Sequence, residues 1–270
     1  DTIACVLATR LYDSEKKRAL VDIGTNGEVV MGDRSGLMAC SAPAGPALEG
    51  AQIRHGMRGA VGAIEKVEID ADVTCTVIGN APAIGICGSG LIDAAAAMLK
   101  SNVMNPSGLL EAEKKTDLPL PIASRFSKTD DGKDQFSLVS SGESGREEDI
   151  VLTQNDIRQL QLAKGAIVSG IIMLQKVMEI ADDDLDELML CGGFGNYISI
   201  ESAVDIKLLP KLPTEKISYV GNAAHLGAQM ALLSEEERLR AENIAQDINH
   251  VALATHPDFQ EIFVEALKFG

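Results

Sequence analysis

Short apolar runs broken by glycine open the chain. Residues 19–23, Ala-Leu-Val-Asp-Ile, are apolar and β-branched, and Gly-Thr-Asn-Gly at 24–27 interrupts them. The Asn26-Gly27 pair is a two-residue hairpin signal. Residues 28–32 resume the strand pattern, 33–36 turn again, and 37–41 make a third short strand. Pro46 suits a first helical turn, so a helix is predicted to begin near Gly45. Residues 66–78 read as a strand or hairpin, and 88–100 as an alanine-rich helix.

The stretch 104–150 departs from this rhythm, with prolines at 106, 119 and 121 and a polar run from 127 to 148. It reads as an inserted surface excursion with one hairpin. Beyond it, Ile157, Leu160, Ala163, Ile167, Ile171, Leu174 and Met178 recur at helical spacing, which predicts a long helix over 155–181. Thr153 followed by Asp156 is a capping pair at its start. Strands are predicted at 187–191 and 217–220, and helices at 223–233, 235–247 and 259–267. Hairpin strands followed by αβαβα predict an α/β fold, a mixed sheet flanked by helices. Its glycine turns fall at strand carboxyl ends, where such folds bind ligands.

Composition narrows the function classes. Of 270 residues, 46% are hydrophobic and 24% charged, which suits a folded core. The net charge of −16 argues against a general nucleic-acid backbone binder and against docking on an anionic membrane. Aromatics at 3%, with no tryptophan, leave little for stacking on bases. No run of about 18 apolar residues is present. Asp1 stands where an initiator methionine would, and the chain is expected to be a piece of something longer. The five cysteines have no CxxC or ferredoxin spacing and are expected to be free thiols in a reducing cytoplasm.

Four glycine-rich strand ends are candidate chemistry. In the first, Asp22 at the end of a buried strand suits a hydrated Mg²⁺. Gly24, Thr25, Asn26 and Gly27 offer donors to phosphate oxygens, unless the turn is a plain hairpin. In the second, Gly45 precedes a helix start that favours an anion, with Glu49 following. The third, Gly-Ile-Cys-Gly-Ser-Gly at 85–90, resembles a dinucleotide loop only superficially, since no acid follows at the required distance. In the fourth, Gly192, Gly193 and Asn196 form a turn on which a base or ribose can lie, with Gly221-Asn222 as a companion turn. Lys164 and Gln161 fall on the polar side of the long helix, within reach of a nucleotide unless that face is merely solvated. His55, His225, His250 and His256 have no metal-ligand spacing.

The order of these motifs is more specific than any one of them. Asp22-Ile-Gly-Thr, a long helix, Cys-Gly-Gly-Phe-Gly-Asn196 and Gly221-Asn-Ala-Ala together resemble the second half of the acetate kinase, sugar kinase, heat-shock chaperone and actin superfamily. The Ala44-Gly45 turn looks like the corresponding turn of dehydratase activators in that superfamily. With Ala-Gly-Pro-Ala-Leu-Glu-Gly50, Gly-Ile-Cys-Gly-Ser-Gly-Leu-Ile-Asp93 and Thr-His-Pro-Asp-Phe-Gln260, the chain resembles the C-terminal domain of the reductive activators of corrinoid proteins over nearly its whole length. The resemblance implies a ribonuclease H-like lobe of an actin-like ATPase, with ATP and Mg²⁺ as ligands. It implies Asp22 at the metal and Gly192, Gly193 and Asn196 at adenosine. Glu28 and Glu49 are the candidates for a general base. It also implies a corrinoid protein as partner, returned from Co(II) to Co(I) for a methyltransferase, and a homodimer. The electron would come from a two-iron iron–sulfur cluster in a separate N-terminal ferredoxin domain.

This chain departs from that pattern in two ways. It has no ferredoxin cysteine set, and it holds one Asp-Ile-Gly-Thr motif where the superfamily uses an earlier second copy. Residues 1–270 are therefore expected to be the second lobe alone. Two rival readings are a non-catalytic dimerisation and docking module, and a small-molecule kinase of the same superfamily.

Overall fold

The computed structural model describes residues 1–192 and 198–269. In chain order the elements are helix α1 (Thr2–Thr9) and strands β1 (Arg18–Ile23), β2 (Gly27–Asp33), β3 (Gly36–Ala42), β4 (Ala63–Ile69), β5 (Val73–Val77) and β6 (Gly85–Ile86). Then come α2 (Gly88–Lys100), α3 (Leu120–Ala123), β7 (Phe126–Lys128), β8 (Asp134–Val139), β9 (Ile150–Thr153) and α4 (Gln154–Met178). The last are β10 (Glu187–Cys191), α5 (Ile200–Asp205), β11 (Ile217–Tyr219), α6 (Ala223–Leu233), α7 (Glu235–Asp247), β12 (Asn249–His250) and α8 (Phe259–Ala266). These fall into two compact units. The first comprises 1–44, 166–196 and 210–265, and the second comprises 45–165, 197–209 and 266–270.

The first unit is built on a six-stranded sheet in the order β11-β10-β1-β2-β3-β12. β1, β2 and β3 form an antiparallel meander, while β10 lies parallel to β1 and β11 parallel to β10. Alternation sorts the sheet's two faces. Leu20, Val30, Ala39 and Met189 face one core cluster with Cys5, Val6 and Leu7 of α1 and Ala223 of α6. On the other face the later half of α4 packs closely. A side chain at Gly27 would stand 2.6 Å from Ile167 Cγ1, and one at Gly170 would stand 3.2 Å from Cys40 Sγ. This mixed sheet flanked by helices is the ribonuclease H-like architecture of the actin-like ATPases.

The second unit carries two three-stranded sheets, β5-β4-β6 and β7-β8-β9. The stretch expected to be a surface excursion supplies β7 and β8, and β8 pairs with β9. Phe136 is fully buried with its ring edge-on to Phe126 at 5.1 Å, so this segment builds core as well as surface. The buried Asp93 of α2 accepts the Val67 N–H of β4 at 3.0 Å and the Ser202 hydroxyl of α5. That gives the third glycine-rich turn a packing role.

Helix α4 begins as its capping pair predicts. The Asp156 N–H donates to Thr153 Oγ1 at 3.1 Å and the Thr153 N–H to Asp156 Oδ2 at 2.9 Å. By length and composition α4 is apolar enough to cross a membrane, yet 67% of its most apolar window is buried inside the protein. It is a core helix.

Candidate functional site

Strand direction gathers the first unit's glycine turns at one sheet edge. β1, β10 and β11 are parallel neighbours, so their carboxyl ends at Ile23, Cys191 and Tyr219 lie together. β2 runs the other way, which brings its first residues, Gly27 and Glu28, to the same edge.

Asp22 is the centre of this edge. Its register partners are Glu28 across the antiparallel pair and Cys191 across the parallel pair. Residues directly opposite share a face, so Asp22, Glu28 and Cys191 point to the side covered by α1. Cys5 of α1 donates its S–H to Asp22 Oδ2 at 3.5 Å, and Cys191 Sγ lies 3.9 Å from Cys5 Sγ. Hydrogen bonding to Cys5, then burial, then the charges of Cys5 and Asp22 push the Cys191 thiol far above its ordinary range.

Glu28 is the second carboxylate. Burial raises its pKa first, and the facing Asp22 raises it further, against a weaker stabilisation from the Ser41 hydroxyl, which donates at 3.4 Å. Two acids in register at one strand end repel each other, and a cation bound there would relieve that cost.

Gly192 supplies the space beside Asp22. Its φ of +115° belongs to glycine, and a Cβ there would stand 3.0 Å from Asp22 Oδ1 and 2.6 Å from the Ile23 carbonyl oxygen. Its N–H donates to the Gly221 carbonyl at 3.3 Å, tying the turn after β10 to the turn after β11. Asn222 caps α6 by accepting the His225 N–H at 3.0 Å. The residues present fit a nucleotide with its magnesium. They comprise a half-buried carboxylate, a neighbouring turn stripped of side chain, and exposed Thr25 and Asn26 in the adjoining loop.

Several sequence expectations change here. The hairpin loop is three residues, 24–26, closed by the Gly24 N–H donating to the Asn26 carbonyl at 3.1 Å. Gly27 already belongs to β2, paired with Ile23 and Ala42, and is glycine because Ile167 leaves no room for a side chain. The helix expected after Gly45 is one 3-10 turn, Pro46–Glu49. That is too short to carry the helix dipole that would favour an anion.

Lys164 is the largest correction. It does not stand on a solvated face. It is completely buried, and its ammonium donates to the carbonyls of Ala266 at 2.7 Å, Lys268 at 2.8 Å and Lys207 at 3.5 Å. Gln161 beside it donates to the carbonyls of Ser107 and Leu267 at 2.9 and 3.0 Å. Both side chains hold the chain's C-terminal turn, which leaves Lys164 no donor for a nucleotide. Gly45, Glu49 and Lys164 all belong to the second unit. Gly193 and Asn196 lie outside the described residues.

Cys5 and Ser41 were not anticipated. Cys5 is separated from its neighbours Asp22 and Cys191 by 17 and 186 residues, so no local spacing marks it. Ser41 was legible in principle, because it stands opposite Glu28 once β2 and β3 are placed in register.

Comparison with known proteins establishes the family and the fold. A family model described as the C-terminal domain of RACo, the ASKHA domain, matches residues 16–270. The chain is 38% identical over 271 residues to the corrinoid activation enzyme RamQ of Eubacterium limosum, covering all of this chain and 45% of that protein. It is 28% identical over 299 residues to the [Co(II) methylated amine-specific corrinoid protein] reductase of Methanosarcina barkeri, covering 49% of it. A solved structure, the reductive activator for corrinoid,iron-sulfur protein, superposes with a TM-score of 0.90 at 37% identity, over 99% of this chain and 42% of that one. The chain spans a little under half the length of these relatives.

Proposed function

The chain belongs to the family of C-terminal ASKHA domains of the reductive activators of corrinoid proteins, and from that premise we propose that it binds ATP with Mg²⁺ to drive reduction of a corrinoid protein. The observation that carries the reading is the edge where β1, β10 and β11 end together. There Asp22 stands beside Gly192, a residue with no room for a side chain.

In this reading Asp22 holds the magnesium through water, and Gly24, Thr25 and Asn26 turn donors toward the phosphates. Gly192 and Gly221 leave backbone open for the nucleoside, and Gly193 and Asn196 are assigned to adenosine by the resemblance alone. Asn222 holds the start of α6 in place. Bound magnesium neutralises phosphate charge. Glu28, with its raised pKa, is the group placed to hold or pass a proton at the strand end. Nucleotide acts on the corrinoid partner only through a difference in affinity between two conformations of the activator. The electron comes from an iron–sulfur domain outside these residues. Self-association into a homodimer and a place of action in the cytoplasm complete the proposal, the latter in keeping with five free thiols.

The test is Asp22→Asn in the protein that carries this chain. ATP hydrolysis and ATP-driven formation of Co(I), followed by absorbance of the corrinoid protein, are both expected to fall at least about 100-fold. Circular dichroism is expected to be unchanged. Activity near wild type would remove Asp22 from the chemistry and favour a docking and dimerisation module, whose dimer light scattering would report.

A further inference from the structure

Asp22 presents its two oxygens to different neighbours. Oδ1 borders the bare turn at Gly192, whereas Oδ2 accepts from Cys5 at 3.5 Å. Behind Oδ2 stand two thiols that the nucleotide reading does not use. Cys5 and Cys191 are 0% and 1% exposed, and their sulfurs are 3.9 Å apart. The donor atoms of Cys5, Asp22 and Cys191 all lie within 4.8 Å of one another.

These dimensions match a particular kind of ion. Zinc binds thiolate sulfur at about 2.3 Å and carboxylate oxygen at about 2.0 Å in a tetrahedron. A tetrahedral angle then separates two sulfurs by about 3.8 Å and a sulfur from an oxygen by about 3.5 Å. Two of the three observed separations are 3.9 Å and 3.5 Å, and the third, between Cys191 and Asp22, is within 4.8 Å, so a bound ion would draw that pair together. A thiol hydrogen bond accounts for either distance singly. Consecutive thiol hydrogen bonds, Cys191 to Cys5 and Cys5 to Asp22, hold these groups together without an ion, and the triangle of two sulfurs and one oxygen that results is also the donor set a shared cation would use. Magnesium is not that cation, since it takes oxygen ligands, whereas two thiolates with one carboxylate suit a soft or borderline ion.

We propose that Cys5 Sγ, Cys191 Sγ and Asp22 Oδ2 form a three-donor site for a thiophilic divalent cation, zinc being the best match. The site is separate from the proposed magnesium position, though both use the same carboxylate. Binding deprotonates both thiols and releases two protons to solvent. The ion then carries two thiolates and one carboxylate, with a fourth position for water. The scaffold is preformed: β1 and β10 hold Asp22 and Cys191 in register, and α1 brings Cys5 over them. An ion there cross-links α1 to the sheet.

The experiment uses the 270-residue chain, reduced and stripped with chelator under inert gas. It is loaded with Zn²⁺ and desalted, and the metal is counted by mass spectrometry. Co²⁺ serves as a parallel spectroscopic probe. One zinc per chain is expected, together with a sulfur-to-cobalt charge-transfer band of two-thiolate intensity and a rise in melting temperature on loading. Cys5→Ser and Cys191→Ser are each expected to weaken retention at least about tenfold, while Cys75→Ser retains the ion. Retention indifferent to Cys5 and Cys191, or a cobalt spectrum without sulfur charge transfer, overturns the proposal. Serine at either buried position can loosen the core, so circular dichroism accompanies each variant, and the cobalt spectrum of the unaltered chain decides independently. None of these readings depends on ATP, so failure here leaves the nucleotide reading intact.

Discussion

Two residues show how differently one chain uses its special positions. Gly192 is glycine for conformational and steric reasons together, with a φ of +115° and 2.6 Å from a would-be Cβ to the Ile23 carbonyl. Gly192→Ala is expected to cost roughly 1–3 kcal/mol and to push Asp22 aside. Urea unfolding and nucleotide titration should both register it, and unchanged stability would sink the account. Lys164 is a buried cation held by carbonyls. Burial, then the charge of Lys207, lowers its pKa from 10.5 to about 8. The folded chain therefore holds this proton less tightly than the unfolded chain. Unfolding takes up a proton between about pH 8 and 10.5, so the lysine's contribution to stability improves as pH rises through that window. Lys164→Met orphans three carbonyls and is expected to destabilise by roughly 1–3 kcal/mol. Its deficit against wild type should widen from neutral to alkaline pH, and a gap that narrows would refute the sign. The sequence misplaced Lys164 for a physical reason. Periodicity assigns polar residues to solvent, but between Leu160 and Ile171 this helix is buried almost all round. Its partners arrive from residues 266–268, about a hundred positions later.

At the scale of elements, legibility followed local determination. β10 and α2 lie where the apolar run and the glycine-to-alanine pattern put them, at Glu187–Cys191 and Gly88–Lys100. The start of α4 was readable because its capping pair is local. Helix α1 was not foreseen. Its eight residues include β-branched Thr, Ile and Val and its N-cap makes no side-chain hydrogen bond, so packing rather than propensity holds it. That packing falls on α6, where Gly227 leaves room for the backbone of Ala4. The Asn26-Gly27 signal marked a turn correctly but assigned Gly27 to the wrong cause, because its small size serves a helix contact from residue 167. That cause is testable by coupling. Gly27→Ala drives a Cβ to 2.6 Å from Ile167 Cγ1, and overpacking of this kind costs roughly 1–3 kcal/mol. Ile167→Ala alone costs about 2–5 kcal/mol through the cavity it opens. Together the two changes are expected to cost less than their sum by roughly 0.5–3 kcal/mol. Additivity in a denaturation cycle would mean that β2 and α4 do not meet through this pair.

For the whole molecule, the decisive sequence signal was the order of weak motifs over 270 residues, each ambiguous by itself. The same order raises the question of completeness at the nucleotide. The chain contains one Asp-Ile-Gly-Thr turn and spans under half the length of its relatives. We propose that the phosphate is gripped from two such turns, of which these residues carry the one after β1. We expect ATP affinity in the millimolar range for the 270 residues by themselves, and thermal unfolding separates that from tight binding. Stabilisation follows RT ln(1 + [L]/Kd). Millimolar Mg-ATP against a millimolar Kd adds about 0.4 kcal/mol, whereas against a micromolar Kd it adds about 4 kcal/mol. The first is nearly invisible as a melting shift and the second is several degrees. A large shift, abolished by Asp22→Asn, would show that the turn after β1 and its neighbours at Gly192 and Gly221 suffice to hold the nucleotide. A small shift, converted to a large one by adding the partner lobe, would show that the cleft is made by two lobes and that affinity is where they couple.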